Sequence, residues 1–325
     1  MRRPTTLEEP QSASAVLMVR PARFGFNAQT APSNAFQHEP VAASRATGEQ
    51  EIRALAVREF DALAERLRSA GVAVIVADDT DVPAKPDAVF PNNWVSFHRD
   101  GTVVLYPLLA PNRRSERRED VLRLVTAAGG FRITRTVDLS HEEQHGKYLE
   151  GTGSLVLDRV HRVAYANVSP RTHLDVLGEF AQQLDYELVT FEACEVGGQA
   201  LYHTNVLMAI GSGFAVVCGA AIAHARHREA VYAKLRDSGR KIIEISLPQM
   251  HAFAGNLLEL ATAGGKLIAL SETAWRSLDP TQRLALQGYG GIVRADIPTI
   301  ERHGGGGVRC MLAEIHLPAS ASALL

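Results

Sequence analysis

The chain has 325 residues, 46% of them hydrophobic, 22% charged and 6% aromatic, with a formal net charge of −2. This composition excludes a disordered chain, which combines low hydrophobicity with high net charge, and a collagen-like or disulfide-stapled one. It lacks the cationic excess that holds nucleic acid or an anionic membrane, and no stretch approaches the ~18 apolar residues of a membrane span. Residues 1–15 are polar, without the apolar core of a signal peptide, and read as a flexible tail before a single domain over 16–325. The three cysteines, Cys194, Cys218 and Cys310, are odd in number and show no metal-type spacing. They suit a reducing, cytoplasmic setting.

In chain order, residues 16–20 predict a strand, 51–70 a helix and 72–77 a second strand. Four hairpins follow, at 95–97/103–105, 155–157/163–165, 206–210/214–218 and 257–260/267–270, joined by turns rich in Gly and Asp. Helical patterns come after each, at 113–128, 169–184 (Ser169 as N-cap, Pro170 in the first turn), 223–238 and 271–278. Each helix leads into a further strand, at 134–139, 187–192, 241–247 and 291–297. The unit reads strand, strand, helix, strand, and it recurs about every 50–60 residues. A fifth copy assembles from the two ends, residues 311–317 supplying its missing strand and bringing Cys310 beside the early repeats. The competing reading is an irregular α+β domain with coincidental spacing.

The strongest local signal is Gly304-Gly305-Gly306-Gly307-Val308-Arg309-Cys310. Four glycines are entropically costly, so a close approach or a special backbone conformation is expected there. Cys310, at the start of an apolar strand, is a candidate nucleophile, whereas Cys218 and Cys194 suit small buried hydrophobes. A thiolate nucleophile needs a proton partner. Among twelve histidines, His203 stands out in Tyr202-His203-Thr204-Asn205, directly before a buried run. His303 is a rival on a glycine loop expected to be mobile. His98, His161, His173, His224 and His227 read as surface positions. Glu150, opening Glu150-Gly151-Thr152-Gly153-Ser154, is a candidate orienting carboxylate.

These motifs together resemble the guanidine-modifying, or pentein, superfamily: arginine deiminases, dimethylarginine dimethylaminohydrolases and amidinotransferases. The resemblance implies an α/β fold, a five-bladed pseudosymmetric propeller of ββαβ units. Met18-Val19-Arg20-Pro21, Phe90-Pro91-Asn92-Asn93-Trp94 and Asn256-Leu257-Leu258-Glu259 are most similar to its bacterial CtlX-type citrulline-utilisation branch. It implies Cys310 as nucleophile, His203 as general acid/base and Glu150 as its orienting carboxylate. Pro111-Asn112-Arg113-Arg114 and Ser169-Pro170-Arg171-Thr172 resemble segments whose arginines hold a substrate α-carboxylate, marking Arg113, Arg114 and Arg171. A bidentate guanidinium fork suits that task, and Arg171 at a helix start is otherwise out of place. Where deiminases carry an aspartate for the substrate guanidinium this chain has Asn93, and Asp87 is the alternative carboxylate. The expected activity is hydrolysis of a guanidino or ureido C–N bond in a small arginine-like substrate, without metal or cofactor. An arginine dihydrolase, an amidinotransferase and a non-catalytic arginine-binding propeller remain open, and nothing in the motifs opposes a homodimer.

Overall fold

The structure, a computed structural model, describes residues 9–40 and 45–320. Its elements fall into five three-stranded sheets with one shared topology. The chain enters through β1 (Ala15–Arg20), α1 (Arg45–Ser69) and β2 (Ala73–Asp78). The second unit is β3 (Val95–Phe97), β4 (Thr102–Leu105), α2 (Glu119–Ala127) and β5 (Arg135–Asp138). The third is α3 (Gly151–Ser154), β6 (Leu155–Asp158), β7 (Val163–Asn167), α4 (Leu174–Leu184) and β8 (Glu187–Phe191). The fourth is β9 (Met208–Ile210), β10 (Phe214–Val217), α5 (Ala225–Asp237), β11 (Lys241–Glu244) and α6 (Leu247–His251). The fifth is β12 (Leu258–Thr262), β13 (Gly265–Ser271), α7 (Glu272–Ser277), α8 (Pro280–Gln287), β14 (Gly291–Ala295) and α9 (Pro298–Gly304). Finally β15 (Ala313–Ile315) returns to pair antiparallel with β1, closing the first unit.

In every unit the first two strands pair antiparallel and the third, delivered by a helix, lies parallel to the second. Parallel pairing requires such a crossover. The first strands of neighbouring sheets meet around one axis, β15 against β3, β6 against β9, and β9 against β12. Burial follows this geometry. β6, β7, β9 and β10 are buried along their whole length, while the outer β5 and β8 each bury one residue and are otherwise exposed or half-buried. Sheets buried on both faces read as continuous apolar runs, which is why the inner hairpins carried the clearest sequence signal. The ring is the pentein propeller.

Several expectations change in detail. Of residues 9–15, expected within a flexible tail, Glu9, Gln11, Ser12, Ala13 and Ala15 are buried, while Pro10 and Ser14 are exposed; residues 1–8 lie outside the described residues. Gln11 Nε2 donates to the Leu157 carbonyl at 2.9 Å, Glu9 pairs with buried Arg159 at 2.6 Å, and Ser12 hydrogen-bonds Glu259. Polar residues that satisfy the buried groups of a channel look like a tail in sequence. The predicted helix 113–128 breaks into a 3-10 turn, Pro111–Glu116, and α2, because the Arg113 side chain is drawn inward. Arg171 stands in a tight turn closed by Thr172 N donating to the Ser169 carbonyl at 3.0 Å. The helix α4 starts only after it, capped by His173, so the helix-start argument for Arg171 does not hold. The short helices α6, α8 and α9 were not foreseen.

Candidate active site

Each unit enters its first strand through a short turn at one end of the axis: Pro91–Asn93, α3, Thr204–Val206, the turn 253–256, and Val308–Met311. At this end lies a small pocket lined by Asp87, Asn93, Arg113, Arg171, His203 and Cys310, among others. Those six residues are all at least nine-tenths buried. The chain between β1 and α1 roofs the cavity with Thr30 and Asn34, and Gly304, Gly305 and Gly306 form its rim. Roof and rim are tied together: His38 N donates to the Arg302 carbonyl at 2.8 Å and Gln37 Nε2 to the His303 carbonyl at 2.8 Å.

His203 Nε2 lies 2.9 Å from Glu150 Oε2. An ionised carboxylate only accepts, so Nε2 carries the hydrogen and Nδ1 is left as the basic nitrogen. Burial alone would raise the Glu150 carboxyl; Arg171 first, then His203 and Arg113, hold it well below the usual carboxylate range. Burial pushes His203 down to about 4 against the pull of Glu150. The imidazole is therefore neutral near pH 7. Glu150 Oε1 accepts the Leu109 N–H at 3.1 Å, which fixes the carboxylate. The glycines of its motif have a steric reason: a Cβ on Gly153 would stand 2.7 Å from the His203 ring and from Asn93 Nδ2.

Cys310 is 3% exposed and burial pushes its thiol up, opposed by Asn256, Arg309 and Asn205. Its sulfur lies 3.2 Å from Asn256 Nδ2 and 3.5 Å from Asn205 Nδ2. The glycine run ends α9 and turns the chain at Gly305, whose φ is +66°. A Cβ at Gly306 would meet the Phe90 ring at 2.9 Å. The run is thus a packed rim rather than a mobile loop. His303 bonds the His38 carbonyl through Nδ1 at 2.9 Å and does not line the cavity.

The two arginines of Pro111-Asn112-Arg113-Arg114 part company. Arg113 enters the cavity, donates to Asn93 Oδ1 at 2.9 Å and forms a bidentate pair with Glu116, both bonds 2.9 Å. Arg114 turns away: it stands 3.3 Å from Glu143, partly exposed, and is no part of the cavity. A 3-10 turn rotates consecutive side chains by about 120°, so both cannot face one site. Arg171 is sealed beneath the roof by Ser33 Oγ at 2.8 Å and the Thr30 carbonyl at 3.0 Å, lies 3.2 Å from Glu150, and covers the Tyr202 ring. Asp87 accepts from Asn27 at 2.7 Å and Thr30 at 3.1 Å through Oδ2. Its Oδ1 is buried without a hydrogen-bond partner. Asp87, Glu116 and Glu150 thus face two arginines, with burial raising the Glu116 carboxyl to about 7 against the pull of Arg113, and the Oδ1 of Asp87 is the acceptor left over for a ligand.

Sequence reasoning missed Glu116, Asn205, Asn256 and the roof. Asn205 was within reach, two residues beyond His203; nothing local marked the roof. Among the described residues, His141, Glu142 and Glu179 have metal-like spacing but lie apart from this cavity.

The family model described as N,N dimethylarginine dimethylhydrolase, eukaryotic, matches residues 20–317. The chain belongs to that family. It is a hydrolase of guanidino C–N bonds. No curated protein matches it in sequence. A variant of the N-terminal domain of ArgZ, covalently bound to a reaction intermediate, is similar with a TM-score of 0.69 at 19% identity, over 94% of this chain and 99% of that one. Full-length ArgZ is described as an arginine dihydrolase of cyanobacteria, and this chain covers 41% of it. AgrE with ornithine and NAD+ gives 0.72 at 18% identity, over 94% of this chain and 39% of that one. A dimethylarginine dimethylaminohydrolase adduct with S-methyl-L-thiocitrulline gives 0.61 at 15% identity, over 93% and 100%. None of these bears on the citrulline-utilisation branch.

Proposed function

We propose that this dimethylhydrolase-family chain hydrolyses the guanidino group of arginine or a substituted arginine through a covalent Cys310 intermediate. The observation that carries this reading is the convergence at one buried pocket of a cysteine, a histidine backed by a carboxylate and a carboxylate oxygen without a hydrogen-bond partner. Burial favours the neutral forms of both the thiol and the imidazole. Substrate guanidinium beside the sulfur favours the thiolate, and the thiol proton passes to Nδ1 of His203, where Glu150 stabilises the imidazolium. The thiolate attacks the guanidinium carbon, and the imidazolium protonates the departing ammonia or amine. Water, deprotonated by Nδ1, then cleaves the amidino-thioether and returns the thiol. Arg171 is the α-carboxylate ligand and Asp87 the partner of a substrate cation. Arg113 holds Asn93 toward the reacting group.

The product of that cycle is a citrulline-type ureide. A second cycle on the ureido carbon gives an ornithine-type amine, a second ammonia and carbon dioxide. Asn93, neutral where a deiminase has a carboxylate, favours this dihydrolase course because a neutral ureide is not penalised there. The relatives described as arginine dihydrolases support it as well.

The test is a product assay with arginine, methylated arginines, agmatine and citrulline, with Cys310→Ala beside the wild type. Citrulline and one ammonia mean a deiminase course; ornithine and two ammonia mean a dihydrolase. Turnover of none of them, or full activity in Cys310→Ala, overturns the covalent reading.

A further inference from the structure

Besides a substrate cation, groups of the protein itself must support the sulfur as an anion. No lysine lines the cavity, and Arg309, whose charge favours the thiolate from the adjacent position, hydrogen-bonds Glu314 at 2.8 Å and the Leu312 carbonyl at 2.9 Å and not the sulfur. Two asparagine amides touch the sulfur instead. We infer that Asn205 and Asn256 form a neutral two-donor cradle for Cys310 that aims its sulfur and stabilises the thiolate. This deepens the covalent reading and rests on it for catalysis, but not for the state of the thiol.

The orientation of Asn256 is fixed by its surroundings. Its Nδ2 donates to the Asn205 backbone carbonyl at 2.9 Å and to Cys310 Sγ at 3.2 Å. Flipping the amide would set its carbonyl oxygen against both a backbone oxygen and the sulfur, so only the donating orientation is tenable. Asn205 presents both ends to the sulfur, Nδ2 at 3.5 Å and Oδ1 at 3.8 Å. It accepts the S–H of the neutral thiol at one end and donates to the thiolate at the other. Neither amide can lose a proton or bind one near pH 7, so the pair stabilises charge on sulfur without competing for the substrate proton. A carboxylate at either place would repel the thiolate.

The charged and titratable groups around Cys310 are His203 and Tyr202 from the fourth unit, Asp87 and Arg113 from the second, Arg171 from the third and Arg309 beside it. None of the arginines hydrogen-bonds the sulfur. Placement explains the pair. Asn205 stands three residues before β9 as Cys310 stands three before β15, so the pseudosymmetry brings the same turn position of two units to the axis. Asn256, just before β12, fills the gap between them.

The experiment is the rate of Cys310 alkylation by iodoacetamide against pH, in the intact chain, with Cys310→Ala giving the background from Cys194 and Cys218. Asn256→Ala and Asn205→Ala are each expected to move the midpoint upward by about one pH unit, a tenfold loss of thiolate at fixed pH below it. Asn205→Asp is expected to move it further. Turnover in the alanine variants recovers as pH rises, which a merely structural defect would not produce. Folding of each variant is checked by its melting transition. An unmoved midpoint in the variants that fold overturns the cradle. Because alkylation uses no substrate, a wild type that turns over no guanidino compound yet shows the shift overturns the functional reading alone.

Discussion

At the residue scale, burial and pairing push neighbouring groups of the candidate site in opposite directions. Glu150 is held ionised by Arg171, while burial disfavours the charged forms of His203 and Cys310. Glu150→Gln keeps the shape but removes the charge that stabilises the imidazolium, and kcat should fall by about 10²–10⁴. The two clamp candidates are separable with paired substrates. Arg171→Ala should raise KM for arginine roughly 10–100-fold, the worth of a charge-assisted bond, and leave agmatine, which lacks the carboxylate, far less affected. Arg114→Ala, outside the cavity, should change kcat/KM by less than about threefold, as surface substitutions do. If Arg114 instead proves to be the residue that distinguishes arginine from agmatine, the placement of both arginines is wrong.

At the element scale, the repeated unit supplies the rigidity the chemistry needs. Each turn before a first strand is pinned by the sheet that follows it, so side chains from five distant segments converge without long loops. Glycines occur where these turns crowd one another. Gly153→Ala should displace His203 from Glu150 and remove most activity while the chain still melts cooperatively, because the added methyl collides with a ring and not with the sheet. Gly305→Ala combines a positive φ with a 2.9 Å approach to the Gln37 backbone, so it should cost about 1 kcal/mol or more and loosen the roof. The measurements are activity and thermal melting side by side; unchanged activity in Gly153→Ala would show that the turn yields.

At the scale of the whole molecule, the far end of the axis carries a second buried polar cluster with no part in the cavity. Glu9 and Glu314 face Arg159, and His98 and His316 lie close by. Glu9→Ala leaves Arg159 without its nearest partner and should cost about 3–5 kcal/mol in denaturant unfolding. Burial lowers His98 to about 3 and His203 to about 4, from 6.5, and lowers His316 as well. The unfolded chain therefore binds more protons between these values. The contribution of these histidines to stability should be complete above about pH 6.5 and be lost as pH drops toward 4, while Glu116 and Glu301, raised by burial to about 7, work in the opposite direction over the same window, so the readout is the titration of the individual imidazoles by NMR. Rings that titrate near 6.5 in the folded chain would mean that they are not held neutral by burial. His98, read as surface from its turn, is buried against Ser96 at 2.8 Å; a turn at the axis is not a turn at the surface.

What the sequence determined by itself is what depends on local pattern. The inner hairpins showed as unbroken apolar runs, the turns as Gly and Asp, and the unit as a spacing that closed on itself through residues 311–317. That Cys310, His203 and Glu150 lie close to one another was within reach of the sequence because each sits at or beside the turn before a first strand. Only the tertiary structure decided between Arg113 and Arg114, since a 3-10 turn rather than a helix sets which one faces inward. Only it placed Arg171 before its helix, drew residues 9–15 into the axis, and brought Asn205 and Asn256 to the sulfur. Those outcomes turn on which buried polar groups need partners from segments far away in sequence, and such pairings leave no periodicity to read.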